Sequence, residues 1–188
     1  MPRLRDAVER WKSGITADFP QNPYWESRVT LSIWRFGQLA HLDRSPAGFV
    51  ARRVHTLADT VWTRALIGAE LPRSVQAGPG LRLPHAGRGV ILHPATRMGR
   101  GVTLYHRVTV GVSGDAGPPT IGDDVYLGTG AAVIGAVNVG RGARVGANAV
   151  VVRDVPDGFT SVGVPGRLLP PRAERTGTTT GESAAAGT

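Results

Sequence analysis

A solenoid of six-residue units, preceded by a small helical region and followed by an unstructured tail, is the mainly β architecture that this sequence predicts. Three observations predict it. Aliphatic residues or Met stand at Val75, Leu81, Leu92, Met98, Leu104, Val110, Ile121, Leu127, Val133, Val139, Val145 and Val151, in steps of six broken by two steps of eleven. A small or branched residue follows four places after each later anchor, at Val125, Ala131, Val137, Ala143, Ala149 and Val155. Composition also divides the chain, with most aromatic residues before residue 63 and most of the 26 glycines after residue 77. A period of six excludes the 3.6-residue helix. Each unit is therefore a short strand with a tight corner, and only stacking of units buries a continuous core.

The elements follow in order. Residues 1–70 read as helical. A short amphipathic helix is expected around Leu4 to Trp11. A second has Val29, Ile33, Phe36, Leu39 and Ala40 at three- and four-residue spacing, the mark of one buried face. A third is capped by Ser45, carries Pro46 in its first turn, buries a stripe of Val50, Val54, Leu57, Val61 and Ala65, and stops at Gly68. His41 and His55 read as packing or surface residues. Residues 71–169 form the repeat domain, in which two five-residue insertions, after the Leu81 unit and after the Val110 unit, become loops suited to carry a site. Residues 170–188 are polar, small and aperiodic, and read as a disordered tail.

Composition excludes several chemistries. The chain of 188 residues has no cysteine, so thiol nucleophiles, disulfides and Cys-based metal sites are impossible. No apolar run approaches the ~20 residues that cross a bilayer, and the N-terminus has no apolar signal core, which predicts a cytoplasmic protein without a membrane partner. The net charge is +8 and Lys12 is the only lysine, so the positive charge is almost all guanidinium. The arginines are scattered, with no zinc finger, RNA-recognition signature or basic helix block. The charge fits a polyanionic cofactor as well as solvated surface, and nucleic acid is not expected as a partner.

The stretches L-R-L-P-H-A-G, I-L-H-P-A-T-R-M-G-R-G-V-T-L-Y-H-R-V-T-V-G, P-T-I-G-D-D-V-Y-L-G-T-G-A-A-V-I-G and V-G-A-N-A-V-V-V-R-D-V-P-D-G-F-T-S-V-G-V-P-G-R-L-L, which cover about residues 68–169, resemble the bacterial serine O-acetyltransferases and their shorter relatives that acetylate exopolysaccharides or secondary metabolites. The resemblance implies the left-handed parallel β-helix of the hexapeptide-repeat acyltransferases, with three units to a triangular coil. Counted that way, Leu81, Leu104, Leu127 and Val145 share one face. A homotrimer with its site between subunits is implied too, a hexamer being left open by the short helical region.

In that family an Asp-His pair stands at L-D-H, the His acting as general base on the acceptor hydroxyl. Here the motif reads L-P-H: His85 is retained and Pro84 replaces the Asp. The family's loop motif G-D-R-H-P reads G-D-A-G-P-P, which keeps Asp115 and lacks the His. Asp115 or Glu70 is the candidate carboxylate for the acceptor. His106, on the same face as His85 one coil later, is the second candidate catalytic residue, and His93 reads as a turn residue. A neutral imidazole can accept a hydroxyl proton near neutral pH. The resemblance implies acetyl-CoA as donor, lying along Gly128, Thr129, Gly130, Gly146 and Ala147, with Arg153 and Arg167 near its phosphates. Tight corners demand small residues at those places as well.

The implied function is acetyl transfer from acetyl-CoA to the hydroxyl of a small acceptor, serine or a serine-like amino acid, with no resident metal. Three alternatives stay open. The acceptor is a sugar or natural-product hydroxyl; the chain is a non-catalytic assembly protein; or His85, His93 and His106 hold zinc in a γ-class carbonic anhydrase-like site, although that family's paired-His spacing is missing.

Overall fold

The computed structural model describes residues 2–115 and 117–171. Among these residues three α-helices, α1 (Pro2–Gln21), α2 (Trp25–Ala40) and α3 (Pro46–Ala58), precede thirteen strands of two or three residues each. No helix among them is long and apolar enough to cross a membrane. Ser45 caps α3 as expected, its hydroxyl accepting the Gly48 N–H at 3.1 Å. The helix continues as wide π-type turns over Asp59–Leu66, and the chain then passes through Gly68 at φ +70°. Beyond Pro171 the expected tail lies outside the described residues.

The helices bury different faces from those the apolar spacing predicts. On α3 the stripe points outward, with Val54 56% and Leu57 68% exposed and Val50, Val61 and Ala65 exposed as well. What α3 buries is Gly48 and His55. The His55 ring fills the place where a side chain on Gly37 of α2 would stand, so the two helices meet through a small residue and an imidazole. Burial holds His55 below the ordinary histidine pKa. On α2 the buried residues are Ser27, Thr30, Leu31, Trp34, Arg35, Gly37 and Ala40, while Val29, Ile33, Phe36 and Leu39 are half-buried. Hydrogen bonding to the coil beneath selects this face.

The strands wind into three parallel sheets. One joins β1 (Gln76–Ala77), β3 (Arg97–Met98), β6 (Thr120–Ile121) and β9 (Asn138–Val139). The second joins β2 (Ile91–Leu92), β5 (Thr109–Gly111), β8 (Ala132–Ile134) and β11 (Val150–Val151). The third joins β4 (Thr103–Leu104), β7 (Tyr126–Leu127), β10 (Arg144–Val145) and β12 (Thr160–Val162), to which β13 (Arg167–Leu169) adds in antiparallel sense. Every predicted anchor is at most 6% exposed, as are the six residues four places later. A fully buried aliphatic side chain contributes roughly 1.5–3 kcal/mol, so this double column is the main source of stability.

In the first coil the register differs from the simple count. Ala77 pairs with Met98, and Arg82 bridges to Thr103, so Leu83 rather than Leu81 lies beside Leu104, and Ala77 rather than Val75 beside Met98. Val75 and Leu81 are the second inward residues of their units. The second inward residue of one unit stands two places before the anchor of the next, so the small Ala77 lets bulky Val75 pass for the anchor. The first insertion therefore follows Leu83 and is three residues long. The second, after Val110, is five residues long as expected, since Val110 and Ile121 occupy β5 and β6.

Polar side chains from α1, α2 and the link between them finish the top of the first coil. Asp18 accepts the Leu81 N–H at 2.8 Å. Asn22 donates to the Leu81 carbonyl and accepts the Leu83 N–H, both at 2.8 Å. Ser27 donates to the Leu83 carbonyl at 2.8 Å and accepts the Ala86 N–H at 3.2 Å. Arg35 donates to the carbonyls of Ala77 and Gly78 and pairs with Asp18 at 2.9 Å. Burial pushes the Asp18 carboxyl above its ordinary pKa, against the opposing pull of Arg35 and the Leu81 and Gly80 backbone.

Candidate active site

The first insertion begins after Leu83, which follows the bridged Arg82. Pro84 starts a reversal in which His85 (φ 56°, ψ 36°) and Ala86 (φ 60°, ψ 12°) both lie in the left-handed region. Ala86 shares that conformation with Arg107, Gly130 and Asn148 at the equivalent corners of later coils. The second left-handed residue, His85, is particular to this turn, and histidine tolerates the region better than most side chains. Ser27 brackets the turn by bonding to residues on either side of His85.

That turn throws the imidazole outward. The rings of His85 and His106 lie 5.0 Å apart, edge to face at 88°. Tyr105 stands 6.3 Å from His85, Tyr126 is 5.2 Å from Tyr105, and the Arg144 guanidinium lies 4.2 Å over the Tyr126 ring. Burial, then Tyr105, raises the Tyr126 phenol above its ordinary pKa. A cleft of about 520 Å³ opens here, lined by Tyr24, Glu26, His85, Ala86, Arg88 and His106. His85 is exposed to it. Among the described residues the Nδ1 atom of His106 is buried with no hydrogen-bond partner. An accessible imidazole over an open cleft can remove a proton from a bound hydroxyl.

Of the residues singled out in the sequence, His85 and His106 are brought together as expected. The register of β4, β7, β10 and β12 extends the line: two residues past the inward anchors stand His106, Thr129, Ala147 and Gly163, with Tyr105, Gly128, Gly146 and Val162 beside them. Below the histidines the edge is thus reduced to small residues. Close coil packing requires the glycines, since a Cβ on Gly128 would come within 2.9 Å of the next coil's backbone. At the lower end of the line Arg153 and Arg167 both border a groove of about 720 Å³ with Gly163, Val164 and Pro165. Gly130 lies at the corner beside His106, its N–H donating to the His106 carbonyl at 3.0 Å.

The remaining candidates stand elsewhere. Asp115 is exposed on the loop between β5 and β6, and Glu70 is exposed on the first coil, its backbone bridged to Ile91. Neither lines the histidine cleft. His93 occupies a turn, its Nδ1 accepting the Ala95 N–H at 3.3 Å. Within one chain the three histidines are therefore not gathered, and among the described residues no group of three or more His, Asp or Glu is placed to hold a metal ion. Sequence reading missed Tyr24, Glu26 and Arg88. The signal for Arg88 was its place in the His85 insertion; for Tyr24 and Glu26 there was none, because their neighbour Ser27 meets Ala86 across 59 residues of chain.

No family model matches the chain. It is 40% identical over 136 residues to a serine acetyltransferase of Helicobacter pylori (strain J99), covering 70% of this chain and 76% of that protein. It is 36% identical over 148 residues to a serine acetyltransferase of Mycobacterium tuberculosis, covering 77% of this chain and 58% of that longer protein. The solved structure of soybean serine acetyltransferase complexed with serine is 31% identical and superposes with a TM-score of 0.64, over 90% of this chain and 70% of that one. The shared fold is the left-handed β-helix.

Proposed function

The chain belongs to the serine acetyltransferase family, and from that membership we propose that it transfers the acetyl group of acetyl-CoA to the hydroxyl of serine or a serine-like amino acid. The observation that carries the reading is the exposed His85 imidazole, 5.0 Å from His106, at the head of an edge reduced to small residues. His85 takes the acceptor's hydroxyl proton as the oxygen adds to the thioester carbonyl carbon, and returns it to the departing thiolate, so the imidazole ends as it began. His106 contacts the acceptor from the adjacent coil.

Acetyl-CoA is the donor. The residues present fit it: Gly128, Thr129, Gly130, Gly146 and Ala147 leave room for an extended arm, and Arg153 and Arg167 supply guanidinium for its phosphates. Asp115 and Glu70 lie outside the cleft, so in this reading any part they take in holding the acceptor comes from a neighbouring subunit. A homotrimer is the assembly that goes with it, as do a cytoplasmic location and a place in cysteine biosynthesis. The uncharged Pro84 where the family has an acid favours a second reading, in which the acceptor is a sugar or natural-product hydroxyl.

Thiol release from acetyl-CoA, measured across a panel of amino acids, sugars and hydroxylated metabolites, tests both. The expected result is turnover with serine or a close analogue. Turnover only with a sugar or other non-amino hydroxyl selects the second reading, and no acceptor-dependent thiol release above the blank overturns acetyl transfer and leaves an assembly protein.

A further inference from the structure

The histidine cleft contains charges that proton transfer does not use. Its lining includes one carboxylate, Glu26, and one guanidinium, Arg88, besides the two imidazoles. A sugar hydroxyl needs neither charge for recognition. An amino acid carries both complements, an ammonium for the carboxylate and a carboxylate for the guanidinium.

Glu26 is held rigidly and is unspent. Its neighbour Ser27 is buried and bonds to both the Leu83 carbonyl and the Ala86 N–H, which locks the first turn of α2 onto the turn that carries His85. Glu26 itself is only half-buried, and among the described residues its carboxylate accepts no hydrogen bond and joins no ion pair. Arg88 directs one N–H toward the Leu66 carbonyl at 3.5 Å, and a guanidinium has five.

We propose that Glu26 is the residue that selects the acceptor, its carboxylate receiving the acceptor's ammonium group. The acceptor class is then the 2-amino-3-hydroxy acids. The assignment rests on the acetyl-transfer reading and narrows it, because the recognising charge comes from the helical region and not from the coil, where Pro84 offers none.

The test compares Glu26→Gln with wild type on L-serine and on 3-hydroxypropanoate, which keeps the hydroxyl and carboxylate of serine and lacks the ammonium. A charge-assisted contact of this kind is worth about 10- to 100-fold. Glu26→Gln should raise the KM for L-serine by that factor, change kcat less than about threefold, and leave KM for 3-hydroxypropanoate unaltered. Glu26→Asp should restore part of the loss. A fall in kcat that is equal for both acceptors, with KM unchanged, would mean that Glu26 orients His85, and the proposal fails. Calorimetric binding of L-serine to both proteins separates this failure from failure of acetyl transfer. If wild type binds L-serine and Glu26→Gln binds it about 10- to 100-fold more weakly, the assignment stands whatever the turnover. Equal binding by both proteins, or none by wild type, overturns it.

Discussion

His85 is held at φ +56°, a region that disfavours any side chain with a Cβ by roughly 1–2 kcal/mol, and the bonds from Ser27 keep the turn there. Replacing His85 by Ala removes the proton acceptor while Ser27, Leu83 and Ala86 retain their bonds. We predict a loss in kcat of about 10²–10⁴-fold, with CoA affinity measured by calorimetry unchanged, because the donor lies along the later coils. His106→Ala is the control on the same face. Full turnover in His85→Ala with none in His106→Ala would move the base one coil down. His55 presents a stability effect of a different kind. Burial lowers its folded-state pKa below the 6.5 of the unfolded chain, so the fold favours the neutral ring. The stability it contributes is complete above that value and is lost as pH falls through the lower folded-state pKa. Urea midpoints should therefore fall between pH 7 and pH 5, and fall less in His55→Asn. Equal slopes for both proteins would refute this.

At the scale of elements, the join between helices and solenoid is polar. Asn22 bonds to two buried backbone groups, Leu81 and Leu83, and leaving each unsatisfied costs about 1–3 kcal/mol. Asn22→Ala should lower the denaturant midpoint and speed hydrogen exchange at the Leu83 amide, while the Leu127 amide, deep in the coil, stays protected. Unchanged exchange at Leu83 would show that water replaces the side chain without cost. The same join explains what could be read from the sequence. The period of six was plain, since every anchor repeats a buried environment. The first-coil register was not, because Ala77 is too small to stand out beside Val75. The buried face of α2 was hidden for a related reason: Ser27, Thr30 and Arg35 are buried by hydrogen bonds to the coil or by packing around them, and such partners leave no periodic trace. Two of the six cleft residues were legible. His85 and His106 lie on the repeating coil, whereas Glu26 reaches them only through the fold of α2.

For the whole molecule, the outward stripe of α3 calls for a partner. Phe49, Val50, Val54 and Leu57 are each more than half exposed, a contiguous apolar surface of the kind that subunit contacts cover. If α3 lies in a subunit contact, Leu57→Glu should lower the mass found by light scattering below that of the wild type, while circular dichroism of the coil is retained. A wild-type monomer at micromolar concentration would remove the trimer. The two ends of the solenoid are closed by unlike devices, side chains of Asp18, Asn22 and Ser27 above and the antiparallel β13 below. Neither device repeats, and in the sheet that β13 joins the lower edge is antiparallel, so a further parallel coil does not seat on it. Length is therefore adjustable only between them: a whole coil duplicated at the spacing of Leu127 to Val145 would meet matching neighbours above and below, and such a protein would be one storey taller with both closures intact. Descent by gain or loss of storeys, with the roof and the foundation kept, is the kind of change this chain is built to survive.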